Sequence, residues 1–327
     1  MPARRDIPSS VLVTGGAGFV GANLVAALHG EGVRVRVLDD CSAGDPARLP
    51  EGVELVRGDV RDAAAVREAL GGCEDVVHLA AAGSVIQSIE DPAANFDVNA
   101  RGTLVVLAEA RAAGVARFVF ASTGGALIGN APPPVDESSV PQPISPYGAS
   151  KLACEGYCHA FHGAYGLSTI ALRFANVYGP HSERKRGAVT TFIHAALAGE
   201  PITVHGDGTA TRDFLHSDDL VAGILAALRS DVTGVVHLAS ERETSIEELV
   251  RLVLAAADAD VPVEHRPARR GEVERNFALA RRAATELGWR AAVGLEEGLA
   301  ATVAWFQRAG DGSTRSSRAA AGGMTQL

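Results

Sequence analysis

Lysine is almost missing from this chain: of 30 basic residues only Lys151 and Lys185 are lysines, so each one is informative. Long apolar runs are missing too. None approaches the ~18 residues that a membrane-crossing helix needs, and Val11–Val13, behind a charged start, meets glycines at once, too short for the core of a secretion signal. The four cysteines (Cys41, Cys73, Cys154, Cys158) are scattered and form no disulfide framework. Positive charge is in deficit, 30 Lys+Arg against 39 Asp+Glu for a net charge of -9. A surface of that sign repels phosphate backbones and anionic lipid, which excludes nucleic-acid or membrane binding as the main role. The expectation is a soluble, reduced, cytoplasmic protein.

What is present is an apolar and regularly punctuated chain. Hydrophobic residues make up 47% and charged residues 21% of 327, a globular composition of one large or two fused domains. Short apolar runs at Val11–Thr14, Arg34–Leu38, Glu54–Arg57, Val76–Leu79, Phe118–Ala121 and Thr169–Phe174 read as strands. Helical stretches such as Gly21–His29 and Ala63–Leu70 lie between them. Strands alternating with helices imply parallel pairing, hence an α/β fold with a doubly wound sheet. Breakers cluster at Ala131–Pro143 and Tyr178–Gly187, and Val235–Ala239 reads as a late strand returning to the first domain. The expected division is a first domain over 9–176 with a returning segment near 213–239, and a second, interleaved domain over 177–307. From 308 onward periodicity is lost, and a disordered tail over 308–327 is expected.

The first chemical motif is Thr14-Gly15-Gly16-Ala17-Gly18-Phe19-Val20-Gly21, which follows a predicted strand and opens a predicted helix. From Gly16 it reads G-x-G-x-x-G. Such glycines let backbone amides and a helix N-terminus approach a pyrophosphate; a tight strand–helix turn without a ligand would use them as well. Context favours the ligand, because Asp39 ends the next strand 18 residues beyond Gly21. A carboxylate there accepts hydrogen bonds from ribose hydroxyls and repels a 2′-phosphate, so the cofactor expected is NAD rather than NADP.

The second motif is Tyr147-Gly148-Ala149-Ser150-Lys151, a phenol and an ammonium on one helix face. A free phenol with pKa near ~10 is a poor base at neutral pH. A neighbouring ammonium favours the phenolate, which can then take a hydroxyl proton as an alcohol is oxidised.

Carrying these two motifs, the chain resembles the extended short-chain dehydrogenase/reductase family, in its nucleotide-sugar epimerase/dehydratase branch, from about residue 10 to about 305. The segments that carry the resemblance are Thr14–Gly21, Gly58–Val60, His78–Ala81, Asn99–Thr103, Ser122-Thr123, Tyr147–Lys151, Leu172–Pro180 and Gly206–Leu220. It implies a Rossmann domain and a smaller substrate domain. By position, Gly15, Gly18, Phe19, Val20, Gly21 and Asp39 should bind NAD. Asp59 and Val60 should flank its adenine, while Leu79, Ala80, Ala81 and Phe174 line its groove. Asn99 and Ser122 should hold the nicotinamide side together with Tyr147 and Lys151. Thr123 resembles the catalytic Ser/Thr that hydrogen-bonds the reacting sugar hydroxyl. Ser84 and Asn176 resemble substrate contacts, and Arg212 and Arg269 resemble arginines that grip a substrate diphosphate. The resemblance also implies a twofold homodimer through the helices after Asn99 and Tyr147, and no metal.

Departures from the family pattern bear on the sugar. Ile128 stands where relatives often carry tyrosine, which suggests a missing sugar contact. Gly83 and Leu279 replace larger or acidic residues, and the mid-sized Asn276 stands near a position that admits or rejects an N-acetyl group. Cys154, Cys158 and His162 recur on one helix face and suggest a seam against a partner subunit rather than a metal site. Arg184-Lys185-Arg186 reads as a solvated loop, placed so that it could meet a phosphate or a uronate carboxylate.

The branch supports several reactions that share oxidation at C4. Its dehydratases carry Asp-Glu directly after the catalytic Thr, and its decarboxylases use a Glu in the same stretch. Here Thr123 is followed by Gly124-Gly125-Ala126. The minimal set Thr123, Tyr147 and Lys151 favours C4 epimerisation of a UDP-sugar, with UDP-glucose/galactose ahead of UDP-glucuronate and the N-acetylhexosamines. A 4,6-dehydratase or decarboxylase with relocated acid/base groups, a 4-keto-sugar reductase, and a catalytically silent NAD-sensing protein remain as alternatives.

Overall fold

The computed structural model describes residues 5–268 and 273–321, the stretch 310–321 by its backbone alone. Its centre is a seven-stranded sheet built from β1 (Ser10–Thr14), β2 (Arg34–Asp39), β3 (Glu54–Arg57), β4 (Asp75–His78), β5 (Arg117–Thr123), β6 (Ser168–Phe174) and the later β11 (Gly234–Leu238). The order is β3-β2-β1-β4-β5-β6-β11, and every pairing is parallel. This is the strand order of a dinucleotide-binding Rossmann sheet with one strand added.

Parallel strands are buried on both faces, which is why Val11-Leu12-Val13 is a continuous apolar run rather than an alternation. Val11 and Val13 belong to the core on one side, with α1 (Phe19–Gly30) and α9 (Ser217–Leu228). Leu12 faces the opposite core, with α2 (Ala63–Leu70), α5 (Gly102–Ala112) and α7 (Pro146–Tyr165). Short helices α3 (Val85–Glu90), α4 (Pro92–Phe96) and α6 (Gly125–Ile128) fill the crossovers around α7.

A second body gathers a separate core from α8 (Ala188–Ala198), α10 (Ile246–Ala257) and α11 (Leu295–Ala321), with Ile202 and Val204 of β8 (Ile202–His205). Three two-stranded pairs complete it: β7 (Asn176–Tyr178) with β10 (Phe214–His216), β9 (Thr211–Arg212) with β12 (Thr244–Ser245), and β8 with β13 (Val263–Arg266). The chain does return late to the first sheet, since β11 pairs with β6. The tail departs from expectation: the backbone of α11 stays helical as far as Ala321. Missing apolar periodicity argues against packing, not against extending a helix whose first turns are anchored, and elongation is far easier than nucleation.

Candidate active site

Strand order reverses between β1 and β4, and the glycine loop sits at their C-terminal ends. Gly15 has φ +70, and a Cβ there would lie 2.7 Å from the amide nitrogen of Ala80 at the end of β4. A Cβ on Gly21 would run into the carbonyl of Gly15. Gly18 caps α1 without any side chain, ahead of Phe19 and Val20. The result is bare backbone at the positive end of a 12-residue helix, the shape and charge that a pyrophosphate requires.

Asp39 ends β2. Its Oδ2 accepts from the amide of Ala17 at 3.0 Å and its Oδ1 from that of Cys41 at 2.8 Å. Burial raises its pKa while the two amides pull it back. Each oxygen keeps a lone pair for a ribose hydroxyl. Further along the groove, Asp59 is held by Arg61 (Oδ1 to Nε, 2.9 Å), which lowers its pKa, and Val60 packs under Gly102. Leu79 and Ala80 are half-buried and Ala81 is exposed, with Phe174 half-buried at the end of β6. These residues fit NAD.

Asn99 is 1% exposed and organises the floor of the site. Its Oδ1 accepts from the amide of Ala82 at 2.8 Å, and its Nδ2 donates to Ser150 Oγ at 3.0 Å. Nearby, His78 is buried between two threonines, 2.6 Å from Thr14 Oγ1 and 3.0 Å from Thr103 Oγ1. Thr103 donates to the carbonyl of Asn99 and Thr14 accepts from the amide of Ala80, so His78 is neutral with its proton on Nε2. Burial holds its pKa down at about 3.

Helix α7 begins at Pro146 with Ser145 as its cap, whose Oγ accepts from Gly148. The amide of Tyr147 donates to Ser88 Oγ at 3.1 Å, which ties this start to α3. Lys151, 3% exposed, donates from Nζ to the carbonyl of Ala121 at 2.8 Å and lies 6.0 Å from the Tyr147 ring centroid. Burial lowers the Lys151 pKa and raises that of Tyr147 to about 12, against which the Thr123 hydroxyl is the opposing influence. Thr123 ends β5, half-buried and accessible. The expected catalytic set is therefore brought together.

Other positions differ from expectation. The Ser122 hydroxyl is committed to Glu155 Oε1 at 2.6 Å rather than free to serve a nicotinamide, because β5 alternates its side chains and this one points under α7. Ile128 is 0% exposed and belongs to the hydrophobic core, so its side chain is a packing residue. Cys154 and Cys158 also face inward: Cys154 Sγ donates to the carbonyl of Asn99 at 3.3 Å, and both belong to the sheet core rather than to a seam. Among the described residues no group of His, Cys, Asp or Glu could hold a metal, and no helix is long and apolar enough to cross a membrane.

Toward the second body, Ser84 is used as the cap of α3, accepting from Gln87 at 3.2 Å, while Asn176 is exposed at the start of β7. Arg212 lies in β9 and donates from Nη1 to the carbonyl of Thr211 at 2.8 Å. Arg269 lies outside the described residues. Asn276 is buried against the turn after Thr123: a Cβ on Gly125 would be 3.1 Å from its Oδ1, and its Nδ2 has no hydrogen-bond partner among the described residues. Glu155 and Arg173 were not anticipated, although Tyr147, Lys151 and Glu155 share a four-residue spacing that marks one helix face.

Comparison with known proteins agrees with this geometry. Residues 11–239 match the NAD dependent epimerase/dehydratase family. A UDP-glucose 4-epimerase of Mycolicibacterium smegmatis is 36% identical over 306 residues, covering 90% of this chain and 98% of that protein. A dTDP-glucose 4,6-dehydratase of Streptomyces griseus is 36% identical over 310 residues, covering 91% and 94%. The crystal structure of a Thermotoga maritima UDP-glucose 4-epimerase with UDP-glucose superposes with a TM-score of 0.89 at 35% identity, covering 92% of this chain and 99% of that one. The chain belongs to the NAD dependent epimerase/dehydratase family.

Proposed function

We propose that the protein is an NAD-dependent C4 epimerase of a UDP-sugar, working through a transient 4-keto sugar. Relatives of equal identity include an epimerase and a dehydratase, so identity alone does not choose the reaction. The observation that carries the choice is the turn after Thr123. Dehydration needs an acid and a base beside the catalytic Thr, and here the side chains that come nearest to a Cβ on Gly124 or Gly125 are His237 and Asn276, neither of them a carboxylate. His237 is held neutral, with a pKa pushed down to about 3 by burial.

Bound NAD supplies the oxidising and then reducing equivalent at C4. The chain's residues do the rest. Tyr147 takes the C4 hydroxyl proton and returns it after the keto sugar has turned its other face. Thr123 orients that hydroxyl, and Lys151, fixed to the Ala121 carbonyl, keeps a positive charge beside the phenol. Asp39 selects NAD over NADP. Arg212, together with Arg269, grips the diphosphate, with Ser84 and Asn176 contacting the sugar. UDP-glucose/galactose ranks first, ahead of UDP-glucuronate and UDP-N-acetylhexosamines.

The same reading places the two bodies as cofactor and substrate domains, roughly 9–176 with the 213–239 return and 177–307. It makes the assembly a homodimer through α5 and α7, the latter with Tyr157 41% exposed. A reducing cytoplasm suits four free cysteines. The test is incubation with each UDP-sugar while following anomeric proton signals. The C4 epimer is expected, with NAD retained and no net absorbance change at 340 nm. A 4-keto-6-deoxy sugar or a pentose would show the argument from Gly124 and Gly125 to be wrong.

A further inference from the structure

Three consecutive residues at the end of β5 are met by three successive turns of α7. Thr123 lies at Tyr147, the Ala121 carbonyl accepts from Lys151 Nζ at 2.8 Å, and Ser122 Oγ donates to Glu155 Oε1 at 2.6 Å. The last of these contacts is anchored from the neighbouring strand. Arg173 of β6, in register with Ser122, donates from Nε to Glu155 Oε1 at 2.9 Å and from Nη2 to Oε2 at 2.8 Å. Ser122, Glu155 and Arg173 are all buried. A buried ion pair is a poor way to gain stability, since apolar residues of like volume often do as well. What it offers is direction: a forked guanidinium and a hydroxyl admit one placement of the carboxylate, and so one height of α7 against β5.

We propose that Glu155 is the positioning residue of this site, setting the register of α7 on β5 through Ser122 and anchoring the charge environment of Lys151. The proposal rests on the roles given above to Tyr147 and Lys151. Glu155 lies one turn beyond Lys151 and favours its ammonium. The other titratable groups facing Lys151 are Tyr147, Cys154 and Cys158 on α7 and His78 on β4, the histidine being neutral, while Arg173 of β6 is held by Glu155. If the Glu155 charge is removed, the Arg173 guanidinium is left uncompensated and Lys151 releases its proton at lower pH.

Because the chain has two lysines, the test needs no substrate. The full-length, NAD-loaded protein labelled at lysine Cε gives two carbon resonances, and Lys185→Arg assigns Lys151. In Glu155→Gln the Lys151 titration midpoint should fall by about one unit or more, and Glu155→Asp, which keeps the charge, should move it less. A midpoint that stays in place in Glu155→Gln overturns the charge role. Ser122→Ala tests register without stranding a charge and guards against a Glu155→Gln variant that does not fold. With the wild type turning over its UDP-sugar, kcat should fall about tenfold, KM and the Lys151 midpoint should hold, and Ser122→Thr should restore part of the rate. An unchanged kcat in Ser122→Ala overturns the positioning role. Failure of the epimerase reading would instead be seen as no turnover by the wild type, with the lysine titration still deciding the role of Glu155.

Discussion

Replacing Tyr147 by phenylalanine removes one oxygen and leaves the ring in place, so it isolates the acid/base role. The structure sets the scale. Burial raises the phenol to about 12 from an ordinary 10.0, which adds roughly 3 kcal/mol to the cost of ionising it. At that value Tyr147 is a neutral phenol in the free protein at neutral pH. A positioned acid/base of this kind is worth about 10²–10⁴ in rate, or about 3–5 kcal/mol of barrier. The Tyr147→Phe protein should therefore keep its circular dichroism and its bound NAD, and melt close to the wild type. Its kcat, read from the appearance of the C4-epimer anomeric proton, should drop by two to four decades. Turnover within a factor of a few of wild type would refute the assignment of the proton to Tyr147.

Other perturbations probe separate parts. Gly15→Ala places a Cβ 2.7 Å from the Ala80 amide at a φ of +70, so calorimetric NAD affinity should fall at least tenfold with the fold retained; unchanged affinity would mean that the loop does not hold the pyrophosphate. The wild type should bind NAD far better than NADP, and Asp39→Ala should narrow the gap; equal wild-type affinities in the calorimeter would remove Asp39 from cofactor choice. Light scattering should give twice the 33.7 kDa chain mass, and a monomer across a wide concentration range would exclude the dimer. For pH, the buried His78 and His237 have folded pKa values of about 3, so the unfolded chain takes their protons first and stability falls as pH drops below about 6.5. Asp213, raised to about 6 by burial, acts the other way, gaining stability as pH falls through 6. Between pH 7 and 5 the two histidines cost about 4 kcal/mol and Asp213 returns about 1, so the melting temperature should fall over that range and His237→Asn should halve the histidine contribution; a flat profile would refute it.

The residues that sequence reveals are those whose identity is forced by a local backbone or chemical demand. Gly15 and Gly21 leave no room for a Cβ, and Tyr147 and Lys151 need only a four-residue spacing to share a helix face. Strand positions were legible for the same reason, since runs such as Val11–Val13 are apolar throughout in a sheet covered on both sides. What could not be read were directions set by distant packing. Nothing near Ile128 says that the core will close over it, and nothing near Ser122 says that a carboxylate 33 residues later will claim its hydroxyl.

Helix α7 carries a longer pattern than its tyrosine and lysine alone. Tyr147, Lys151, Cys154, Glu155 and Cys158 follow each other at spacings of four, three, one and three, which is one stripe of a 3.6-residue helix. Lys151 had to point at the cofactor groove if it was to serve Tyr147. Every residue on its stripe therefore points inward as well, and the cysteines could not have faced a partner. The outward stripe is then the one bearing Tyr157, which is 41% exposed. A charged residue on the inward stripe, two turns from a buried phenol, needs a buried counter-charge. In an α/β sheet with parallel order β4-β5-β6, that counter-charge comes from β5 or from the strand beside it. Arg173, whose main chain pairs with Ser122, is the residue that meets this need.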